Sequence, residues 1–192
     1  MFFSAQSSGQ KNAEWKVVSK EGKVSILQKD SIKTKKQFKV EFHLEGNVDT
    51  IKRLITDPHS YKEWISNIDE ITTIEKQNDS TIYYLIQLSI WPIFTRQGII
   101  KNVLSGQSHS SEYNYTIELD TNYHYQLEYD EARYVKLRWD LKQGTKANTD
   151  VTFHYLGYTR DYPDWVFEII DNILIYSLEE MIENLTDFVE NQ

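Results

Sequence analysis

Between residues 163 and 190, apolar side chains recur at steps of three and four: Val166, Ile169, Ile170, Ile173, Leu174, Leu178, Met181, Ile182, Leu185, Phe188 and Val189. That rhythm predicts one amphipathic helix of about 26 residues, which at 1.5 Å per residue is roughly 40 Å long, the width of a domain. Pro163 suits the first helical position, and Asp164 suits the positive end of the helix dipole. Glu168, Asp171, Asn172, Glu179, Glu180, Glu183 and Asn184 fall on the other face. Such a helix must lie with one side on an apolar surface and the other in water.

The surface it lies on is legible upstream. Phe38, Val40, Phe42 and Leu44 alternate with Lys39, Glu41 and His43, and the same period of two returns at 24–26, 68–75, 81–90, 95–104, 113–119, 123–129, 134–141 and 151–158. Turn chemistry separates these runs, as in Gln77-Asn78-Asp79-Ser80 and Gln143-Gly144-Thr145. Strands so closely spaced predict an antiparallel meander. One interruption has helical spacing: Val48, Ile51, Leu54 and Ile55, with Asn47 as N-cap and Asp57-Pro58 as the stop. Residues 1–13 show no periodicity and read as a tail or the remnant of a leader, and residues 14–192 as one domain. The compartment stays open between cytoplasm and export.

Composition removes several functions. The chain carries 21 Lys and Arg against 29 Asp and Glu, a net charge of −8, which argues against nucleic acid as a partner. With no cysteine there is no thiolate nucleophile and no Cys-ligated zinc. The five histidines lack the spacing of a zinc site, and neither a phosphate-binding glycine loop nor a Gly-x-Ser-x-Gly elbow occurs. We therefore expect no catalytic residues, no metal and no cofactor.

Apolar stripes remain as candidate binding surface. Ile82, Tyr84, Ile86, Leu88 and Ile90 share one parity, as do Val135, Leu137, Trp139 and Leu141, and Val151, Phe153 and Tyr155 continue the face. Each stripe reads as packed core or as ligand wall. Tyr113, Tyr115, Tyr123, Tyr125, Tyr129 and Tyr134 crowd neighbouring segments, where a ring with a polar tip suits a partly polar cavity or simply a strand. Arg96 adjoins an apolar run and needs either a ligand anion or a carboxylate such as Asp57 or Glu63.

Four strings carry a resemblance: Trp15 with Gly22-Lys23-Val24-Ser25-Ile26; Ile55-Thr56-Asp57 with Tyr61 and Trp64; Trp91-Pro92-Ile93-Phe94-Thr95-Arg96; and Tyr158 with Pro163-Asp164-Trp165. In this order they resemble the START domain, the lipid-transfer branch of the helix-grip (Bet v 1-like) superfamily, over about residues 15 to 190. Two departures stand out. Arg96-Gln97 replaces the family's Arg-Asp corner, and Asn102 stands where some members place a second arginine inside the cavity. The resemblance implies an α+β helix-grip fold, a curved antiparallel sheet of about seven to nine strands around the long C-terminal helix. It also implies a tunnel holding a phospholipid, fatty acid or sterol-like molecule, bound and transferred without chemistry. Arg96 would orient the polar end, Tyr84, Ile86, Leu88, Trp139, Phe153 and Tyr155 would line the sheet side, and Ile169, Ile173 and Ser177 the helix side. Trp91, Ile93, Phe94 and the segment 162–165 would make a mouth that touches membranes transiently. The alternative is a polyketide cyclase or aromatase of the same superfamily, which needs ionisable groups inside, such as His43 or His154 facing inward beside a carboxylate.

Overall fold

A computed structural model of the chain describes residues 14–29, 34–78, 80–90, 94–105, 111–120, 122–123, 125–126, 134–144, 147–158 and 163–191. The alternating runs form nine strands: β1 (Trp15–Glu21), β2 (Val24–Lys29), β3 (Lys35–Glu45), β4 (Ile68–Asn78), β5 (Thr81–Ile90), β6 (Phe94–Ser105), β7 (Glu112–Leu119), β8 (Val135–Gln143) and β9 (Asn148–Tyr158). They make a single antiparallel sheet in the order β1-β2-β3-β9-β8-β7-β6-β5-β4. The non-sequential pair, β3 with β9, runs unbroken from Lys35↔Tyr158 to Glu45↔Asn148 and joins the two halves of the meander.

Three helices sit with the sheet. α1 (Val48–Thr56) starts where expected, because Asn47 Oδ1 accepts from the Thr50 amide at 2.9 Å. Asp57 then caps a single 3₁₀ turn (Pro58–Ser60), accepting from the His59 amide at 3.0 Å, and α2 (Tyr61–Trp64) follows. α3 (Asp164–Glu190) has 27 residues and packs on α2 and β3. Its C-terminal half supplies Leu178, Met181, Ile182 and Leu185 to the core, where they meet Tyr61, Trp64, Val40 and Phe153. The sheet and the long helix together form the helix-grip architecture that the sequence pattern predicts.

Two elements differ from expectation. β1 and its hairpin with β2 were not distinguished as a separate strand, since Val17 and Val18 are adjacent and a bulge between Val17 and Ser19 breaks the alternation. Gly22 makes the turn at φ 53°, a conformation glycine adopts without strain. The strand expected over 123–129 is absent at residues 123, 125 and 126, and its other residues lie outside the described ones. The reason is topological: β7 is already bonded to β6 on one side and β8 on the other, so no ladder position is open beside it. Tyr123 instead packs on Tyr83 on the outer face, ring centroids 4.8 Å apart, and donates to Glu75 Oε2 at 2.9 Å.

Candidate functional site: the inner face of the sheet

Residues paired across antiparallel strands share a face, so the register places the predicted lining residues directly. One inward row runs Leu104-Tyr115-Trp139-Phe153-Val40-Ile26 through β6, β7, β8, β9, β3 and β2. The next runs Ile82-Asn102-Ile117-Leu137-Tyr155-Phe38, and beyond it come Tyr84 with Ile100, Ile86 with Gly98, and Leu88 with Arg96. Tyr84, Ile86, Leu88, Arg96, Trp139, Phe153 and Tyr155 therefore all lie on the inner face.

The two ends of that face differ in how they are filled. Around Trp139 it is solid: the indole packs edge-on against Trp64 at 5.8 Å and tilted against Phe153 at 4.5 Å, and Tyr61 meets Trp64 edge-on at 5.1 Å. Tyr113 closes the layer under α1, donating to Asp49 Oδ1 at 2.9 Å. Farther along the face, toward Lys36 and Arg96, Tyr84, Ile86 and Ile100 are buried, but Leu88, Arg96, Val135, Leu137 and Tyr155 stay half-buried. Tyr155 reclines over Gly157, where an added Cβ would meet ring carbons at 2.8 Å, so a residue without a side chain gives the ring its place.

The facing stretch of α3 is thinly anchored. Ile173 and Ser177 are half-buried, whereas Ile169 is 47% exposed and shares an outward stripe with Trp165 and Tyr176, each 65% exposed. One tie is a clamp on a single ammonium. Lys36, buried on the inner face of β3, meets Asp171 Oδ1 at 2.6 Å and lies 5.0 Å from the Phe167 ring centroid. Phe167 and Asp171 are one helical turn apart, so both reach the same cation.

Polar groups on this face are few and mostly neutral. Tyr61 donates to the Ile55 carbonyl at 3.1 Å and pairs with the Tyr115 hydroxyl at 2.8 Å. Burial, reinforced for Tyr61 by the neighbouring Tyr115, pushes both phenols far above their ordinary range. Burial alone holds Tyr155 up to about 12, and burial with the charge of Asp57 raises Tyr84. Arg96 is engaged within the chain. Asn102, which the resemblance places at a cavity position, is buried on the inner face between Ile82 and Ile117, beside the Tyr115 hydroxyl.

The two histidines that would favour an enzyme face outward. His43 Nδ1 meets Asp150 at 2.6 Å and His154 Nε2 meets Asp140 at 3.3 Å, but both pairs sit on the convex face with Lys39, Arg138 and Glu41. The tyrosine cluster splits as well: Tyr113 and Tyr115 point inward, while Tyr134 bonds Glu118 Oε1 at 2.6 Å on the outer side and Tyr125 is exposed. Among the described residues no group of His, Asp and Glu is placed to hold a metal ion, and no helix is long and apolar enough to cross a membrane. Trp91 and Ile93 of the expected mouth, and Tyr162, lie outside the described residues.

This arrangement, a nine-stranded sheet gripping one long helix over a largely apolar inner face, is a START-like helix-grip fold. A STAR-related lipid transfer protein from Xanthomonas axonopodis superposes with a TM-score of 0.78 at 14% identity, covering 92% of this chain and 98% of that one. Human StAR-related lipid transfer protein 5 gives 0.75 at 11% identity over 97% and 89%, and the Zhui aromatase/cyclase from a Streptomyces species gives 0.63 at 9% over 81% and 94%. No protein-family model and no curated protein matches the sequence. The likeness is one of fold.

Proposed function

We propose that the protein binds and carries a hydrophobic ligand, a phospholipid, fatty acid or sterol-like molecule, between the inner face of the sheet and the N-terminal half of α3, and performs no chemistry on it. The observation that carries this reading is the half-burial of inward apolar residues such as Leu88, Leu137 and Tyr155, opposite Ile173 and Ser177. A sheet interior built only for stability buries such residues as completely as Trp139 and Phe153 are buried here. Ligand sites are characteristically apolar walls with a few polar groups that fix orientation. Tyr84, Ile86, Leu88, Tyr155, Ile173 and Ser177 form the wall, Trp139 and Phe153 close its packed end, Ile169 faces away from it, and Arg96 near the start of β6 would meet a polar or anionic terminus. Trp165, Ile169 and Tyr176 give the helix an apolar stripe for transient contact with a membrane during exchange.

The solved lipid-transfer proteins of the same fold support the reading by analogy. The cyclase alternative draws support from the Zhui likeness alone, since both described His–Asp pairs lie on the convex face. The test is transfer of fluorescent phosphatidylcholine, fatty acid and sterol from donor to acceptor vesicles. The reading predicts that catalytic amounts of protein accelerate the exchange of one of the three; exchange of all three at the spontaneous rate contradicts it.

A further inference from the structure

Charge is spread unevenly along this chain. Residues 15–40, which span β1, β2 and the start of β3, hold eight of its 21 basic side chains and two of its 29 acidic ones. That is a local excess of six positive charges in a chain of net −8, and all eight cations are Lys. The register shows which way they point. Val17, Leu27, Lys39, His154 and Arg138 are cross-strand partners in one row on the convex face. Trp15 with Lys29, and Lys35 with Tyr158, flank that row at the same parity, and Lys20 lies beyond the bulge on the same side.

Trp15, Val17 and Tyr158 are 36%, 59% and 40% exposed, and the ammonium groups of Lys29 and Lys39 lie 5.9 and 5.6 Å from the Trp15 ring centroid. Lys39 meets Glu41 at 2.8 Å, but among the described residues Lys20, Lys29 and Lys35 meet no carboxylate.

We propose that this outer face of β1, β2 and β3 docks the protein on a membrane that carries anionic lipid, with Trp15 and Val17 reaching the head-group layer and Lys20, Lys29 and Lys35 its negative charges. The inference goes beyond carriage of a ligand, since it draws on the outer surface alone. Composition selects a bilayer over an acidic protein segment. Aromatic and aliphatic side chains set among lysines suit the interface, where rings sit at head-group depth and ammonium groups meet the negative surface potential. Lys is a flexible point charge suited to a diffuse field, whereas recognition of one particular carboxylate or phosphate favours the rigid fork of Arg. The outward stripe of α3 cannot supply this attraction, because Asp164 and Glu168 flank it with the opposite charge. The acidic remainder of the molecule is repelled by the same membrane, which turns the lysine face toward it.

The test is flotation of the full chain with vesicles of phosphatidylcholine alone and of phosphatidylcholine with about one third phosphatidylserine, at low salt. Wild-type protein is expected to bind the anionic vesicles at least about tenfold more tightly than the neutral ones, and the preference should vanish at high salt, where surface charge is screened. One lysine at an anionic surface is worth about fivefold in binding, so the triple variant Lys20→Gln, Lys29→Gln, Lys35→Gln should lose the preference altogether. The triple variant Lys62→Gln, Lys76→Gln, Lys142→Gln removes the same charge from exposed positions elsewhere and should bind anionic vesicles within about threefold of wild type. Trp15→Ala should weaken anionic binding and leave its salt dependence as it was. Equal binding of wild type to both vesicles, or equal losses in the two triple variants, overturns the inference. Release of wild type from anionic vesicles by polyglutamate at matched charge would assign the face to an acidic protein segment and overturns it as well. Each of these results leaves ligand carriage standing, because lipid exchange between neutral vesicles is measured without anionic lipid.

Discussion

The clamp on Lys36 makes a quantitative prediction about how the interior opens. Asp171→Ala removes the carboxylate that meets the Lys36 ammonium at 2.6 Å and leaves the cation with the face of Phe167 alone. A surface pair is worth less than about 1 kcal/mol, and breaking a fully buried one costs about 3–5 kcal/mol. The two side chains here are 8% and 25% exposed, between those limits, so we expect about 2 kcal/mol. The cost should fall on the N-terminal half of α3, because Trp165, Ile169 and Tyr176 bury little there while Leu178, Met181, Ile182 and Leu185 hold the other half in the core. Native-state hydrogen exchange reads the two halves separately. Amides of residues 166–173 should lose about 30-fold in protection, the equivalent of about 2 kcal/mol, while those of 178–185 change little. An equal loss in both halves, or none in the first, would refute the idea that this ion pair helps pin the helix over the inner face of the sheet.

Further outcomes follow from other residues. The phenols of Tyr61, Tyr115 and Tyr155 hold their protons more tightly in the fold than in the unfolded chain, so their contribution is whole below pH 10 and is lost as pH rises toward about 12, by up to about 1.4 kcal/mol per pH unit for each group. Urea titrations from pH 8 to 11.5 should show this decline, and a flat profile contradicts it. Gly157→Ala should displace the Tyr155 ring and cost about 1–3 kcal/mol as an overpacking change; unaltered stability would mean that the ring moves freely. Ile173→Asp should keep the circular dichroism of the fold yet lose bound lipid, whereas Trp139→Asp, set among Trp64 and Phe153, should lose lipid and much of the folding stability together; either variant retaining lipid at the wild-type level contradicts its place in the wall.

What the sequence disclosed follows the range of the forces involved. α3 was legible because one continuous period of 3.6 writes its buried face, and α1 because Asn47 announces its first turn. The central strands were legible from alternation, since a half-buried sheet forces period two. β1 was hidden by its bulge and by exposure at the sheet edge, and the strand expected over 123–129, absent at the described residues 123, 125 and 126, came from tyrosine's β-propensity, which says nothing about whether a neighbour is free to pair. The inward parity of Tyr84, Trp139 and Tyr155 came out of the pattern, but their degree of burial did not. That depends on α2 and α3 arriving from distant parts of the chain. The same distance conceals the Lys36–Asp171 clamp, which has no local signature.

The central claim is that the inner face of the sheet holds a hydrophobic molecule, and native mass spectrometry of freshly purified protein, followed by solvent extraction of whatever is released, tests it most directly. The account predicts an added mass of one lipid per chain, present on purification or acquired from mixed lipids. A mass equal to that of the bare chain, unchanged after incubation with those lipids, would contradict it.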